Sequence, residues 1–193
     1  TYEKQGKFSD AIQYYTQLVD KYQSGDLHSL CLVRRGACYL GMKEYRKAVE
    51  ELSSSLPSLQ DSSEKGEAVY LIGESYYNLR DYPSAEKQYN TFRADYPHQQ
   101  LFREATYSLG WTYLKQGQYR KAADTFAELV TGSDDLAHAA AFRRALSLKL
   151  AGDKKSAKSA LESILLSQKN KSYADNSAYE LGLLSYETED YEA

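Results

Sequence analysis

Three histidines and two cysteines are the side chains best suited to acid–base, nucleophilic or metal chemistry, and their spacing supports none of it. His28, His98 and His138 lie near turns in different parts of the chain and are not paired at helical spacing, so no metal site is expected. Cys31 and Cys38 stand seven residues apart. On one helix that is roughly 10 Å of rise, beyond the ~7 Å Cα separation that a disulfide tolerates. They read as free thiols buried as small apolar side chains, which leans slightly away from an oxidising compartment. No Ser-His-Asp or Cys-His set can be assembled, and no glycine cluster has the spacing of a phosphate loop. The carboxylates are spread as on any solvated surface. No enzymatic activity, no cofactor and no metal are expected.

The arginines are more informative. Arg34-Arg35 and Arg143-Arg144 occupy matching places in two stretches of the chain. Arg35 and Arg144 replace the apolar residues Ile72, Leu109 and Leu181 found at that place elsewhere. The expectation is an arginine with a buried stem and a salt-bridged head. Arg143, Lys149, Lys154, Lys155 and Lys158 make the later part locally basic, which reads as a solvated face rather than a nucleic-acid surface. Net charge is −3 over 193 residues with both signs mixed, so no whole-chain field attracts nucleic acid or an anionic membrane. No apolar run approaches the ~20 residues of a membrane span, so no direct membrane insertion is expected.

What positions these residues is a repeat. Phe8, Tyr45, Tyr82 and Tyr119 follow one another at intervals of 37, and Tyr191 lies 72 further on. Ala11, Ala48, Ala85, Ala122 and Ala157 keep the same rhythm, with a last step of 35. Gly36, Gly73, Gly110, Ala145 and Gly182 repeat it at steps of 37, 37, 35 and 37. Three series in one phase define an array of one supersecondary unit, and arrays of this period are solenoids.

Each unit reads as helix A, a tight turn, helix B and a loop. Val69, Ile72, Gly73 and Tyr76 form one apolar face, and Tyr82, Ala85, Tyr89 and Phe92 a second. Asp81 caps the second helix, Pro83 fits its first turn, and Pro97 stops it. The small residues at the middle of helix A and early in helix B let the two helices approach. The large aromatic at the start of helix B (Tyr45, Tyr82, Tyr119) is expected to fill the wedge between them, with Tyr39, Tyr76 and Tyr113 nearby. The reading is a single array: a partial repeat over 1–22, repeats over 28–61, 66–99, 103–136 and 138–171, and a partial repeat over 175–193. Both ends fall inside repeats without polar caps, so a fragment of a longer array is expected.

Gly73-x-x-Tyr76 followed by Tyr82-x-x-Ala85-x-x-x-Tyr89 and Pro97 resembles the tetratricopeptide repeat (TPR). Gly110-x-x-Tyr113, Gly117 and Tyr119-x-x-Ala122-x-x-x-Phe126 are similar to it as well. The fifth unit departs most, with Ala145, Leu148 and Lys154 at the places of Gly, Tyr and Tyr. The resemblance implies an all-α fold, a right-handed α-α superhelix of helix-turn-helix repeats about 37 residues long, whose A helices line a concave side. The family period is 34. The extra residues fall in stretches such as 56–65 and 167–173 and are expected in longer B helices or in inter-repeat loops. Lengthened repeats with an ending like Asp95-Tyr96-Pro97 are similar to bacterial envelope TPR proteins, including the outer-membrane assembly lipoprotein BamD and Tol–Pal-associated proteins. That likeness slightly favours a periplasmic or envelope location over the cytoplasm.

The resemblance also implies a function, the holding of a partner protein. The A-helix positions turned away from helix B are Tyr70, Glu74, Tyr77 and Asn78, then Tyr107, Trp111 and Lys115, then Phe142 and Lys149, then Tyr179 and Tyr186. Grouped aromatics of this kind mark binding surfaces. Tyr70, Tyr77, Tyr107, Trp111, Phe142 and Tyr186 would anchor a peptide or helix, with Glu74, Asn78, Lys115 and Lys149 orienting it. The alternative is that the rings pack between neighbouring A helices. The carboxylate clamp of chaperone-binding TPR proteins is not expected, because its places are held by Val33, Ala37, Leu71, Glu104 and Ser108 in one register. In the next register they are held by Tyr70, Glu74, Ser108, Ala139 and Arg143. Self-association of the array, or service as the recruiting arm of a larger enzyme or complex, would be the competing roles.

Overall fold

The computed structural model describes residues 6–167 and 171–187. Among them are ten α-helices and no strand: α1 (Phe8–Lys21), α2 (Asp26–Gly41), α3 (Tyr45–Ser55), α4 (Ser62–Asn78), α5 (Tyr82–Asp95), α6 (Phe102–Lys115), α7 (Tyr119–Ala127), α8 (Asp135–Leu150), α9 (Lys154–Ser167) and α10 (Lys171–Glu187). The even-numbered helices are the A helices and the odd-numbered ones the B helices. Tyr191, the last member of the aromatic series, and the second helix expected after α10 lie outside the described residues. The chain divides into two compact units, Thr1–Ser108 and Leu109–Ala193, with the boundary inside α6.

Local chemistry sets the helix ends. The Asp61 carboxylate accepts from the Ser63 and Glu64 N–H groups at 2.6 and 3.2 Å, that of Asp81 from Ser84 N at 3.3 Å, and that of Asp134 from Ala137 N at 2.9 Å. The Asp61 cap starts α4 at Ser62. The inserted stretches are therefore taken up in part by A helices, since α10 also begins early, at Lys171. The expectation of longer B helices or loops is corrected to that extent.

The A-to-B turn repeats atom for atom. Lys43, Arg80, Gly117 and Gly152 all have positive φ (64°, 62°, 73° and 81°). In each turn the N–H of that residue donates to the carbonyl three back, and the next N–H to the carbonyl five before it: Lys43→Leu40 and Glu44→Tyr39, then Arg80→Tyr77 and Asp81→Tyr76. Gly117→Leu114, Gln118→Tyr113, Gly152→Lys149 and Asp153→Leu148 repeat the pattern. This is the Schellman closure of a helix, which requires a left-handed residue and so favours glycine.

The repeated glycines mark close helix approach, against a different partner from the one expected. A Cβ on Gly36 would lie 2.6 Å from Leu52, on Gly73 2.8 Å from Tyr89, and on Gly110 2.6 Å from Phe126. The wedge is thus filled by the side chain four residues after the helix-B alanine. Tyr45, Tyr82 and Tyr119, expected there, are only half-buried at the start of their helices, whereas Leu52, Tyr89 and Phe126 are wholly buried. A first-turn side chain leans toward the turn N-terminal to its own Cα and so misses the middle of helix A.

In the first unit Val33, Ala48, Leu52, Leu59, Ala68 and Ile72 form a continuous core, with Tyr39 and Tyr76 packed on it. In the second, Ala123, Leu148, Ala157 and Leu184 form one cluster, and Phe142, Ala145 and Leu161 another. Cys31 and Cys38 are buried and unbridged. Burial raises the Cys31 thiol pKa against the pull of Arg35.

Candidate partner-binding face

Neighbouring A helices are tied by polar or cation–π links between residues roughly one repeat less a turn apart in sequence. Arg34 of α2 pairs with Glu67 of α4. Glu74 of α4 accepts from Ser108 Oγ of α6 at 2.7 Å. The Arg143 guanidinium of α8 lies 4.5 Å from the ring centroid of Trp111 on α6. Lys149 of α8 donates to Glu180 of α10 at 3.1 Å, with Glu187 at 3.5 Å. Burial works against the Lys149 ammonium, but the two carboxylates outweigh it and leave its pKa raised. Within each unit these links space the A helices that carry the candidate residues.

In the first unit that face is largely occupied by its own packing. The Tyr70 ring lies 6.2 Å from that of Tyr89 and 5.9 Å from that of Phe92. Both partners belong to helix B, so Tyr70 is corrected from a ring spare to A/B packing to a part of it. Tyr89 Oη donates to Glu74 Oε1 at 2.6 Å, the same oxygen that Ser108 reaches, which makes Glu74 a structural acceptor. Burial, and after it the Glu74 charge, raises the pKa of both Tyr70 and Tyr89 far above the usual phenol range. Tyr77 sits edge-on to Tyr82 at 5.7 Å. The exposed Asn78 donates Nδ2 to the Glu74 carbonyl at 2.8 Å. Tyr107 is half-buried on α6.

The second unit offers more. Trp111 is half-buried beneath Arg143, with the exposed Lys115 ammonium 6.0 Å from its ring. Phe142 is 7% exposed and stacks 5.8 Å from Tyr173, so it too is corrected from a groove anchor to a core ring. Tyr179 and Tyr186 are 67% and 72% exposed among the described residues, with Leu183 between them on the same face of α10. Tyr179 shares the register of Tyr70 and Phe142, rings that are covered in their own repeats. The structure therefore brings Lys115 and Arg143 to the Trp111 ring, pairs Lys149 with the carboxylates of α10, and places Phe142 in the core.

Sequence reasoning treated Arg143 as half of an arginine pair and did not seat it on Trp111. Complementary residues 31 to 34 positions apart, one repeat less a turn, are the signal that finds such links: Arg34–Glu67, Glu74–Ser108 and Lys149–Glu180 carry it. Among the described residues no group of His, Cys, Asp or Glu is placed to hold a metal ion, and no helix is long and apolar enough to cross a membrane.

A family model described as tetratricopeptide repeat matches residues 70–138 and again 107–175, and a second of the same description matches residues 1–24. No curated protein matches the chain in sequence. Among solved structures, MamA is similar over 90% of this chain and 95% of its own, at 19% identity and a TM-score of 0.74. A tetratricopeptide repeat protein from Parabacteroides merdae ATCC 43184 is similar over 95% of this chain and 69% of its own, at 16% identity and a TM-score of 0.75. The apo form of RapI covers 95% of this chain, which spans 55% of RapI, at 14% identity and a TM-score of 0.78. At these identities the likeness is one of fold.

Proposed function

The chain belongs to the tetratricopeptide repeat family, and from that premise we propose that it is a non-enzymatic scaffold whose A-helix face holds a peptide or helix of a partner protein. The observation that carries this reading is Trp111: a large ring, half-open, held in place by the Arg143 guanidinium and flanked by Lys115. A ring whose rotamer is already fixed loses little entropy on binding, and Trp and Arg dominate binding hot spots. With Arg143 and Lys115 on the ring, the face suits a segment that combines an apolar side chain with acidic residues. The lengthened repeat supports placing this scaffold among bacterial envelope proteins.

The test is a pull-down from a lysate of the source organism, with the chain and its Trp111→Ala variant run side by side. Circular dichroism first establishes that both are equally helical. A partner retained by the parent and weakened by about 2 kcal/mol or more in the variant is expected. Equal retention overturns the reading. Self-association through the same face is the competing outcome, and light scattering reports it as a defined oligomer.

A further inference from the structure

Arg35 and Arg144 hold the same register, each just before the small residue of its A helix (Gly36, Ala145). Arg35 is fully engaged: Nε and Nη2 donate to the two oxygens of Glu51 at 2.9 and 3.0 Å, and Nη1 to Thr16 Oγ1 at 3.1 Å. Glu51 stands three residues after Ala48, and Thr16 five after Ala11. The same steps from Ala157 and Ala122 land on Ala160 and Ala127. Both of Arg35's partners are thus alanines around Arg144, and no described residue pairs with its guanidinium. The buried Leu32, four before Gly36, is likewise replaced by Ala141.

Ala141 and Ala160 line a cavity of about 300 Å³ bounded by α8, α9, the stretch before α8 and the start of α10, with Arg144, His138, Ser163 and Tyr173. His138 Nδ1 is buried there without a hydrogen-bond partner. Neither Arg143 nor Trp111 lines it. We propose that it is a binding site for a carboxylate carried on a short apolar body. The carboxylate would stand where Glu51 stands in the sister repeat and take the two-pronged guanidinium bond that Arg35 makes there. His138 supplies a further donor through its Nδ1–H tautomer. The alanines and the neighbouring Ile164 and Val130 receive the apolar part.

The test is calorimetric titration of the chain with hexanoate, with hexan-1-ol as the neutral control and N-acetylglutamate amide as a mimic of an acidic side chain. Two variants accompany it: Arg144→Leu, the residue type of Leu109 at this register, and Ala160→Glu, which restores the partner that Arg35 has. The parent is expected to bind a carboxylate and ignore the alcohol. Each variant is expected to bind about tenfold more weakly or worse. Ala160→Glu is also expected to melt higher than the parent, which shows its fold intact. Hexanoate binding assigns the site to a free acid, and binding of the glutamate mimic alone assigns it to an acidic peptide side chain. Failure of both carboxylates at tens of millimolar, equal binding of hexan-1-ol, or unchanged binding by Ala160→Glu would overturn the proposal.

Discussion

Glu74 shows how one residue can decide between structure and function. Its carboxylate stands at a candidate orienting position, yet Tyr89 and Ser108 both spend their hydroxyls on it. Removing the Tyr89 hydroxyl takes away a part-buried bond to a charged group. Tyr89→Phe is expected to cost about 1.5–3 kcal/mol at neutral pH, measured by urea denaturation. The pH dependence follows from the raised phenol pKa values of Tyr70 and Tyr89. Their folded-state pKa lies above the unfolded value, so the stability they contribute is complete below pH ~10 and falls as pH rises beyond it. Tyr89→Phe is expected to flatten that alkaline fall. A stability curve above pH 10 identical in slope to the parent's would contradict the assignment.

At the scale of the element, the A-to-B turn is a repeated device with unequal residues. Gly117 and Gly152 adopt left-handed φ without steric cost, whereas Lys43 and Arg80 adopt it against the clash of Cβ with the backbone. Arg80→Gly is expected to stabilise the chain by about 0.5–1 kcal/mol, net of the extra unfolded-state entropy of glycine. Thermal denaturation reads the sign directly. The opposite is expected at Gly73, where a Cβ would meet the buried Tyr89 ring at 2.8 Å. Gly73→Ala is expected to destabilise by about 1 kcal/mol or more, because overpacking exceeds the helix propensity gained. Helices, caps and turns were legible because each leaves a mark of its own: Asp81 before Pro83, the phased alanines, the stop at Pro97. Which side chain fills the wedge was not, since Tyr82 and Tyr89 are both aromatic and only the helix geometry distinguishes them. Nor was the burial of Tyr70 and Phe142 legible, because it depends on rings contributed by other helices, Phe92 and Tyr173.

For the whole molecule, the series of A helices is one surface chemistry repeated with variations, and the variations separate packing from binding. In the first unit Tyr70, Glu74 and Tyr77 are engaged by Tyr89, Phe92, Ser108 and Tyr82. In the second, Trp111 stays half-open under Arg143, with Lys115 beside it. The scaffold reading stands or falls on whether a partner touches this A-helix face. The most direct measurement is site-specific photo-crosslinking with benzoylphenylalanine placed at Lys115, one turn beyond Trp111, and in parallel at Leu166, an exposed site on helix B. Both sites are solvent-accessible, so neither insertion disturbs the core. The account expects a partner protein crosslinked from position 115 and none from 166. Crosslinks from 166 with none from 115 would contradict it.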